Sequence, residues 1–148
     1  MDNLQYIRIL LIEDNTADAR LFQEAFKESS FENEVYRVKN GNEAIKFLKH
    51  ENSYTDMPRP DLILLDLDLP RIDGLDVLKK VKKDNDLKLI PVMILSASVD
   101  DRDMLGAYKY YANAFILKPD DYPSLIKFSD SLVDFWGRWV KLPTEVEV

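Results

Sequence analysis

Apolar residues recur along this chain with two spacings, that of strands and that of helices. Tyr6 to Ile12 is a short apolar run that ends in two acids, Glu13 and Asp14, and predicts a strand. Ala17, Leu21, Phe22, Ala25 and Phe26 then keep helical spacing behind a capping Asn15 or Thr16. Asn33 to Lys39 alternates and fits an edge strand; Asn40-Gly41-Asn42 reads as a turn, and Ala44, Ile45 and Leu48 mark a second helix. Residues 51–60 are polar, contain Pro58 and Pro60, and form a loop. Leu62 to Leu65 are four apolar residues in a row, too few for a helix and suited to a strand buried on both faces. That run stops in Asp66, and Pro70 and Gly74 mark the loop after it.

Beyond Gly74, residues Leu75, Leu78 and Val81 predict a third helix with a basic exposed face, Lys79 to Lys83. Ile90 to Leu95 is another buried strand, ending in Ser96-Ala97-Ser98, and Ser98 with Asp101 predicts a capping box for a helix to about Tyr111. Ala114 to Leu117 is a fifth, short strand ending in Lys118-Pro119, and Pro123 opens a long final helix. Strands that alternate with helices imply an α/β fold, a parallel sheet covered on both sides. Five strands with five helices favour the flavodoxin-like doubly wound order 2-1-3-4-5. The first and third strands are then neighbours at the switch point, so one crevice collects Glu13, Asp14 and Asp66, with Ser96 and Lys118 beside them.

Composition narrows the function more than the fold. The chain has 148 residues, read as one domain over 1–148, with a core at about 6–136 and an extension of the last helix plus a tail over 137–148. A net charge of −7 with interspersed signs lacks the basic face of a nucleic-acid binder. The absence of Cys removes disulfides, thiol catalysis and Cys-ligated metal. No apolar run has the length of a membrane span and Met1 to Tyr6 lacks signal-peptide character, so the expected address is the cytoplasm.

Three carboxylates in one crevice repel one another and need a cation or protons. With oxygen ligands only, the cation of choice is a hard divalent ion, Mg²⁺. Lys118 can neutralise a phosphoryl group, and the Ser96 hydroxyl and the Ala97 amide can donate hydrogen bonds to it. The coherent chemistry has Asp66 as nucleophile on phosphorus, forming an aspartyl phosphate.

These positions together resemble the receiver domain of two-component response regulators: the acidic pair Glu13-Asp14, the phosphoacceptor Asp66, Ser96 followed by Ala97, and Lys118-Pro119. The resemblance runs from residue 6 to about 136. It implies that Asp14 binds Mg²⁺ directly, Glu13 mostly through water, and that the backbone carbonyl of Asp68 supplies a further ligand. It also implies a cis Lys118–Pro119 bond, a switching aromatic at Phe115 that follows Ser96, and a sensor histidine kinase as phosphoryl donor. More narrowly, Glu13-Asp14-Asn15 with Asp18, Arg59 to Leu67, and the closing Phe135-Trp136 to Leu142-Pro143 are similar to single-domain regulators partnered with bacterial phytochrome kinases. Asp68 departs from that pattern, which commonly has Asn; a further acid there implies stronger attraction for Mg²⁺.

Other readings attach to the same residues. Leu65-Asp66-Leu67-Asp68 also resembles the Asp-x-Asp signature of haloacid-dehalogenase-type phosphatases. There, however, the signature stands on the first strand and the metal acids come last, and a cap domain encloses the substrate. A degenerate receiver used only for binding is the other alternative. Taken singly, Glu13-Asp14 fits a helix-start charge, Asp18 first-turn chemistry, Phe115 core packing, and His50, the lone histidine, the surface.

The final helix has more apolar surface than one sheet face needs. At about 100° per residue, Leu125, Ser129, Leu132, Val133, Trp136 and Val140 form a stripe suited to the sheet. Phe128, Phe135, Trp139 and Leu142 form a second stripe, which predicts a symmetric homodimer, with Tyr108 or Tyr111 contributing; the alternative is that the chain after Gly137 folds back over its own aromatics. Residues 143–148 are too few and too acidic for an output domain, so output is expected through protein contacts.

Overall fold

The computed structural model describes residues 6–69, 74–98 and 100–143. The loop expected at Pro70 lies outside them, as do residues 1–5, 99 and 144–148. Five parallel strands, β1 (Ile7–Ile12), β2 (Asn33–Val38), β3 (Leu62–Asp66), β4 (Val92–Ser96) and β5 (Ala114–Leu117), lie in the order β2-β1-β3-β4-β5. The helices are α1 (Thr16–Lys27), α2 (Gly41–Leu48), α3 (Gly74–Lys83), α4 (Asp101–Lys109) and α5 (Tyr122–Asp134). This is the expected doubly wound α/β fold.

The apolar run in β3 explains the layering. Leu62 and Leu64 face α1 and α5, where they pack with Phe22, Phe26, Leu125 and Val133. Ile63 and Leu65 face the opposite layer and meet Phe47, Val77, Leu78 and Val81. Each of these β3 side chains is buried, and each such burial is worth about 1.5–3 kcal/mol before chain entropy is charged against it. A strand with two dry faces cannot slip by one residue without exchanging its partners, so its register is fixed. The register leaves Asp66 one step beyond the Ile12–Leu65 pair and opposite Leu95, which sets the heights of all the strand ends.

Local chemistry places the helix starts. The Asn15 Oδ1 accepts from the Asp18 amide at 2.9 Å, and the Asn40 Oδ1 accepts from that of Glu43 at 2.9 Å. Asn40-Gly41-Asn42 is therefore a helix start rather than a free turn. The expected Ser98–Asp101 capping box does not form: the Asp100 Oδ1 caps α4 by accepting from the Arg102 amide, and the Ser98 Oγ accepts from the Asp100 amide. A shorter Asx loop satisfies the same orphan donors, so the box has nothing left to do. Helix α4 stops at Lys109 because Tyr111 adopts φ 71° and the Ala112 amide returns to the Ala107 carbonyl.

One sheet edge and one connection are tied from the side. On β5 the Phe115 amide donates to the Tyr108 Oη at 3.1 Å. Between α3 and β4, the Lys82 ammonium donates to the Lys88 and Ile90 carbonyls at 3.1 and 3.0 Å, and burial lowers its pKa.

The end of the chain departs from expectation. Past Asp134 the backbone opens into a wider π turn over Phe135–Trp139, and Val140 is extended. Gly137 is buried in this turn, and Leu142 returns to the α1–α5 layer, where it is 2% exposed. Leu142 is thus a core residue and not part of an outer stripe, because helical periodicity lapses once the turn widens. Phe128 is half-buried against the same layer, whereas Phe135 and Trp139 are 53% and 73% exposed. Leu125, Ser129, Leu132 and Val133 are buried as the inner stripe requires, with Trp136 and Val140 partly so.

Candidate functional site

The C-terminal ends of β1, β3, β4 and β5 meet at one edge of the sheet, where open α/β sheets place their ligands. Asp66 closes β3 and is buried; its Oδ1 accepts from the Asp68 amide at 3.0 Å, which holds the carboxylate at the strand end. Glu13 follows β1, is 1% exposed, and has its amide fixed to the Val38 carbonyl of β2. Asp14 follows it and is exposed. Oxygens of Glu13, Asp14 and Asp66 lie within 4.8 Å of one another. Three hard, anionic oxygen donors at this separation fit a divalent cation that keeps some of its water.

Lys118 enters this cluster from the end of β5. Its amide donates to the Ser96 carbonyl at 2.8 Å, which brings the side chain over the neighbouring strands. The Nζ lies 2.6 Å from the Glu13 Oε1, 3.4 Å from the Asp66 Oδ2 and 3.8 Å from the Asp18 Oδ2. Burial alone would lower the pKa of this ammonium, but the bond to Glu13 and the charges of Asp66, Glu13 and Asp18 leave it raised. Burial pushes Glu13 the other way, up to about 7, and its hydrogen bond with Asp66 adds to the rise. One ammonium does not balance this many carboxylates, which is why a divalent cation suits the cluster.

Ser96 is fully buried at the end of β4, and its Oγ donates to the Ser98 carbonyl and accepts from the Ser98 amide. The hydroxyl is thus engaged by its own loop. Ala97 next to it is exposed. Phe115 on β5 is half-buried against the α2–α3–α4 layer. Asp68 is exposed, with its side chain outside the Glu13–Asp14–Asp66 cluster. His50 is exposed in a left-handed conformation, φ 57°. The Lys118–Pro119 bond is trans, like every peptide bond among the described residues, which corrects the expected cis form. In trans, the isomer favoured by about 0.5–1 kcal/mol, Lys118 already reaches both carboxylates.

Two residues carry more of the site than their local sequence suggests. Asp18 sits in the first turn of α1 and contacts Lys118. Arg37, on β2, donates to the carbonyls of both Glu13 and Asp14. No spacing rule points to Arg37, since the contact depends on the β1–β2 register that pairs it with Leu11.

Comparisons with known proteins identify the family. The family model described as the response regulator receiver domain matches residues 9–129. The response regulator Rcp1 of Synechocystis sp. is 40% identical over 135 residues, which cover 91% of this chain and 92% of Rcp1. The probable methanogenesis regulatory protein FilR2 of Methanothrix harundinacea is 35% identical over 91% of this chain and 86% of its own. Among solved structures, the phosphorylated cyanobacterial phytochrome response regulator RcpA is 41% identical, with a TM-score of 0.86 over 94% of this chain and 99% of RcpA. The Mn²⁺-bound form of Rcp1 superposes with a TM-score of 0.83 at 39% identity, over 93% of this chain and 99% of Rcp1. With its acids, hydroxyl and lysine gathered on the strand ends of that same fold, this chain belongs to the response regulator receiver domain family.

Proposed function

We propose that residues 1–148 act as a stand-alone receiver that accepts a phosphoryl group on Asp66 from a phosphohistidine of a phytochrome-type sensor kinase. The observation that carries this reading is Lys118 lying between buried Glu13 and buried Asp66 at the sheet's carboxyl edge. In the transfer, an Asp66 carboxylate oxygen forms the new bond to phosphorus while the bond from phosphorus to the donor imidazole nitrogen breaks. The electron pair and a proton end on the imidazole. Glu13, Asp14 and Asp66, with the Asp68 carbonyl, would hold Mg²⁺, which supplies charge neutralisation at the phosphoryl oxygens. Lys118 neutralises a further oxygen, and Ser96, once released from Ser98, donates to another along with the Ala97 amide. Withdrawal of the Ser96 hydroxyl leaves room that Phe115 follows. The open depression of about 200 Å³ beside Lys118, lined by Leu21, Phe22 and Tyr122 together with Asp18, Asp120 and Asp121, is the place where a donor protein would seat.

The test is mass spectrometry after incubation with acetyl phosphate and Mg²⁺, with an Asp66→Asn control. One added phosphoryl group in the parent and none in the control is the expected result. Sustained phosphate release from unrelated phosphomonoesters would favour the haloacid-dehalogenase-type reading instead. Bound Mg²⁺ with neither modification nor turnover would leave a receiver kept for binding alone.

No described helix is long and apolar enough to cross a membrane; we place the protein's action in the cytoplasm, with output through protein contacts. Phe135 and Trp139, together with Tyr108 or Tyr111, supply exposed aromatics for a homodimer through the end of α5. Aromatic anchors of this size cost about 2 kcal/mol or more when truncated. Trp139→Ala is therefore expected to weaken self-association at least about thirty-fold, read as a shift from dimer to monomer in sedimentation velocity. Unchanged sedimentation would remove the dimer.

A further inference from the structure

The β1–α1 loop bears two of the three acids, and within it the Asn15 amide donates to the Glu13 Oε2 at 3.3 Å. Glu13 continues the strand ladder only through its amide, bonded to the Val38 carbonyl. The Asn15 side chain caps the helix that follows. Between these two anchors lie the carbonyls of Glu13 and Asp14, and both are taken by one side chain. The Arg37 Nε donates to the Glu13 carbonyl at 2.9 Å, and one terminal nitrogen donates to the Asp14 carbonyl at 3.1 Å. Arg37 is itself half-buried on β2, where its backbone is locked opposite Leu11.

We propose that Arg37 is a positioning residue for the divalent cation: its guanidinium fork holds the two successive peptides that carry Glu13 and Asp14. The inference rests on the proposed cation role of those acids. Arg suits this task because its donors are coplanar and fixed in spacing, so two carbonyls are held in one relative orientation. Lysine offers the same charge from a single flexible nitrogen. Two opposing effects follow from the arrangement. The positive charge itself repels an incoming cation. The fork spares the loop the entropy of finding the binding geometry. Partners of ligands rather than ligands themselves typically change metal affinity about ten- to a hundred-fold, so the fork is expected to dominate.

The signs make the proposal testable. Mn²⁺ or Mg²⁺ is titrated calorimetrically into the parent, Arg37→Gln and Arg37→Lys, each checked for cooperative thermal unfolding in EDTA. Both variants are expected to bind about ten-fold more weakly, and in acetyl phosphate assays the metal concentration for half-maximal modification of Asp66 rises by the same factor, while the plateau rate falls less than about three-fold. Equal or tighter binding by Arg37→Gln would show that only the repulsive charge matters and would overturn the proposal. Parent-like binding by Arg37→Lys would also overturn it, since charge without the fork would then suffice. If Arg37→Gln does not fold, the lysine variant, which keeps the charge, decides alone. A parent that binds no divalent ion would overturn the reading of the acids and the role of Arg37 with it, whereas an Asp66→Asn chain that still takes up phosphate would break only the reading of Asp66 as acceptor.

Discussion

Lys118→Ala is expected to slow phosphoryl acceptance about 10²–10³-fold while binding divalent cation more tightly than the parent. The first effect follows from removing a preorganised positive charge aimed at the transferring group, a loss worth about 3–4 kcal/mol in the transition state. The second follows because the Nζ lies between Glu13 and Asp66, and its removal leaves their negative charge for the ion. Stability without metal carries a third signature. Glu13 has its pKa raised from 4.5 to about 7 even with Lys118 in place, and without the ammonium it rises further. A carboxyl whose folded pKa lies above its unfolded one favours the fold fully below pH 4.5, and that contribution is lost as pH rises through about 7. At pH 5 the variant therefore loses little, since Glu13 can take up its proton. At pH 8 two buried carboxylates face each other without a cation, and the loss approaches about 3 kcal/mol. Urea titrations in EDTA at the two pH values measure this gap. An equal loss at both would mean that Lys118 does not compensate these carboxylates.

Gly74→Ala carries the largest expected effect outside the cluster. A Cβ built on Gly74 would lie 2.8 Å from the Leu67 Cα, 2.9 Å from the Asp66 carbonyl oxygen and 2.9 Å from that of Leu67. These are backbone atoms of the segment that carries Asp66, so no side chain can rotate away to relieve the clash. The cost is about 3 kcal/mol, a fall of roughly 6–12 °C in Tm for a chain of this length. The Asp66 backbone must shift to admit the methyl group, and a displacement of about 1 Å at a reacting group slows transfer on the order of 10²-fold. A Tm within about a degree of the parent would contradict the close approach of α3 to the end of β3.

Much of this site was legible in the chain because it depends on short-range regularities. Leu62 to Leu65 announces a strand with two dry faces, and an acid at its end has to stand at the sheet's edge. The same logic places Glu13 and Ser96 at the ends of buried runs, and Lys118 at the end of the half-buried apolar run of β5. What stayed hidden depends on distance in sequence or on a break in periodicity. Arg37 meets carbonyls 24 and 23 residues away, a contact that only strand register creates. Leu142 continues the helical pattern on paper, but the wider turn at Phe135–Trp139 redirects it into the core. Asp18 is a first-turn acid by pattern, as expected, and only the approach of Lys118, past the end of β5, to the first turn of α1 reveals its contact. Ser98 matched a capping motif, yet Asp100, one residue before the helix, supplied the acceptor.

The hydroxyl of Tyr108 on the Phe115 amide has a consequence for life at high concentration. Strand β5 is a sheet margin of four residues, and an open margin is a template on which foreign strands grow. Tyr108 occupies the outward amide in the middle of that margin, so α4 works as a sheath for it. Strand pairing at this margin and helix displacement are thereby tied together: a molecule that keeps α4 in place keeps this amide from a foreign strand.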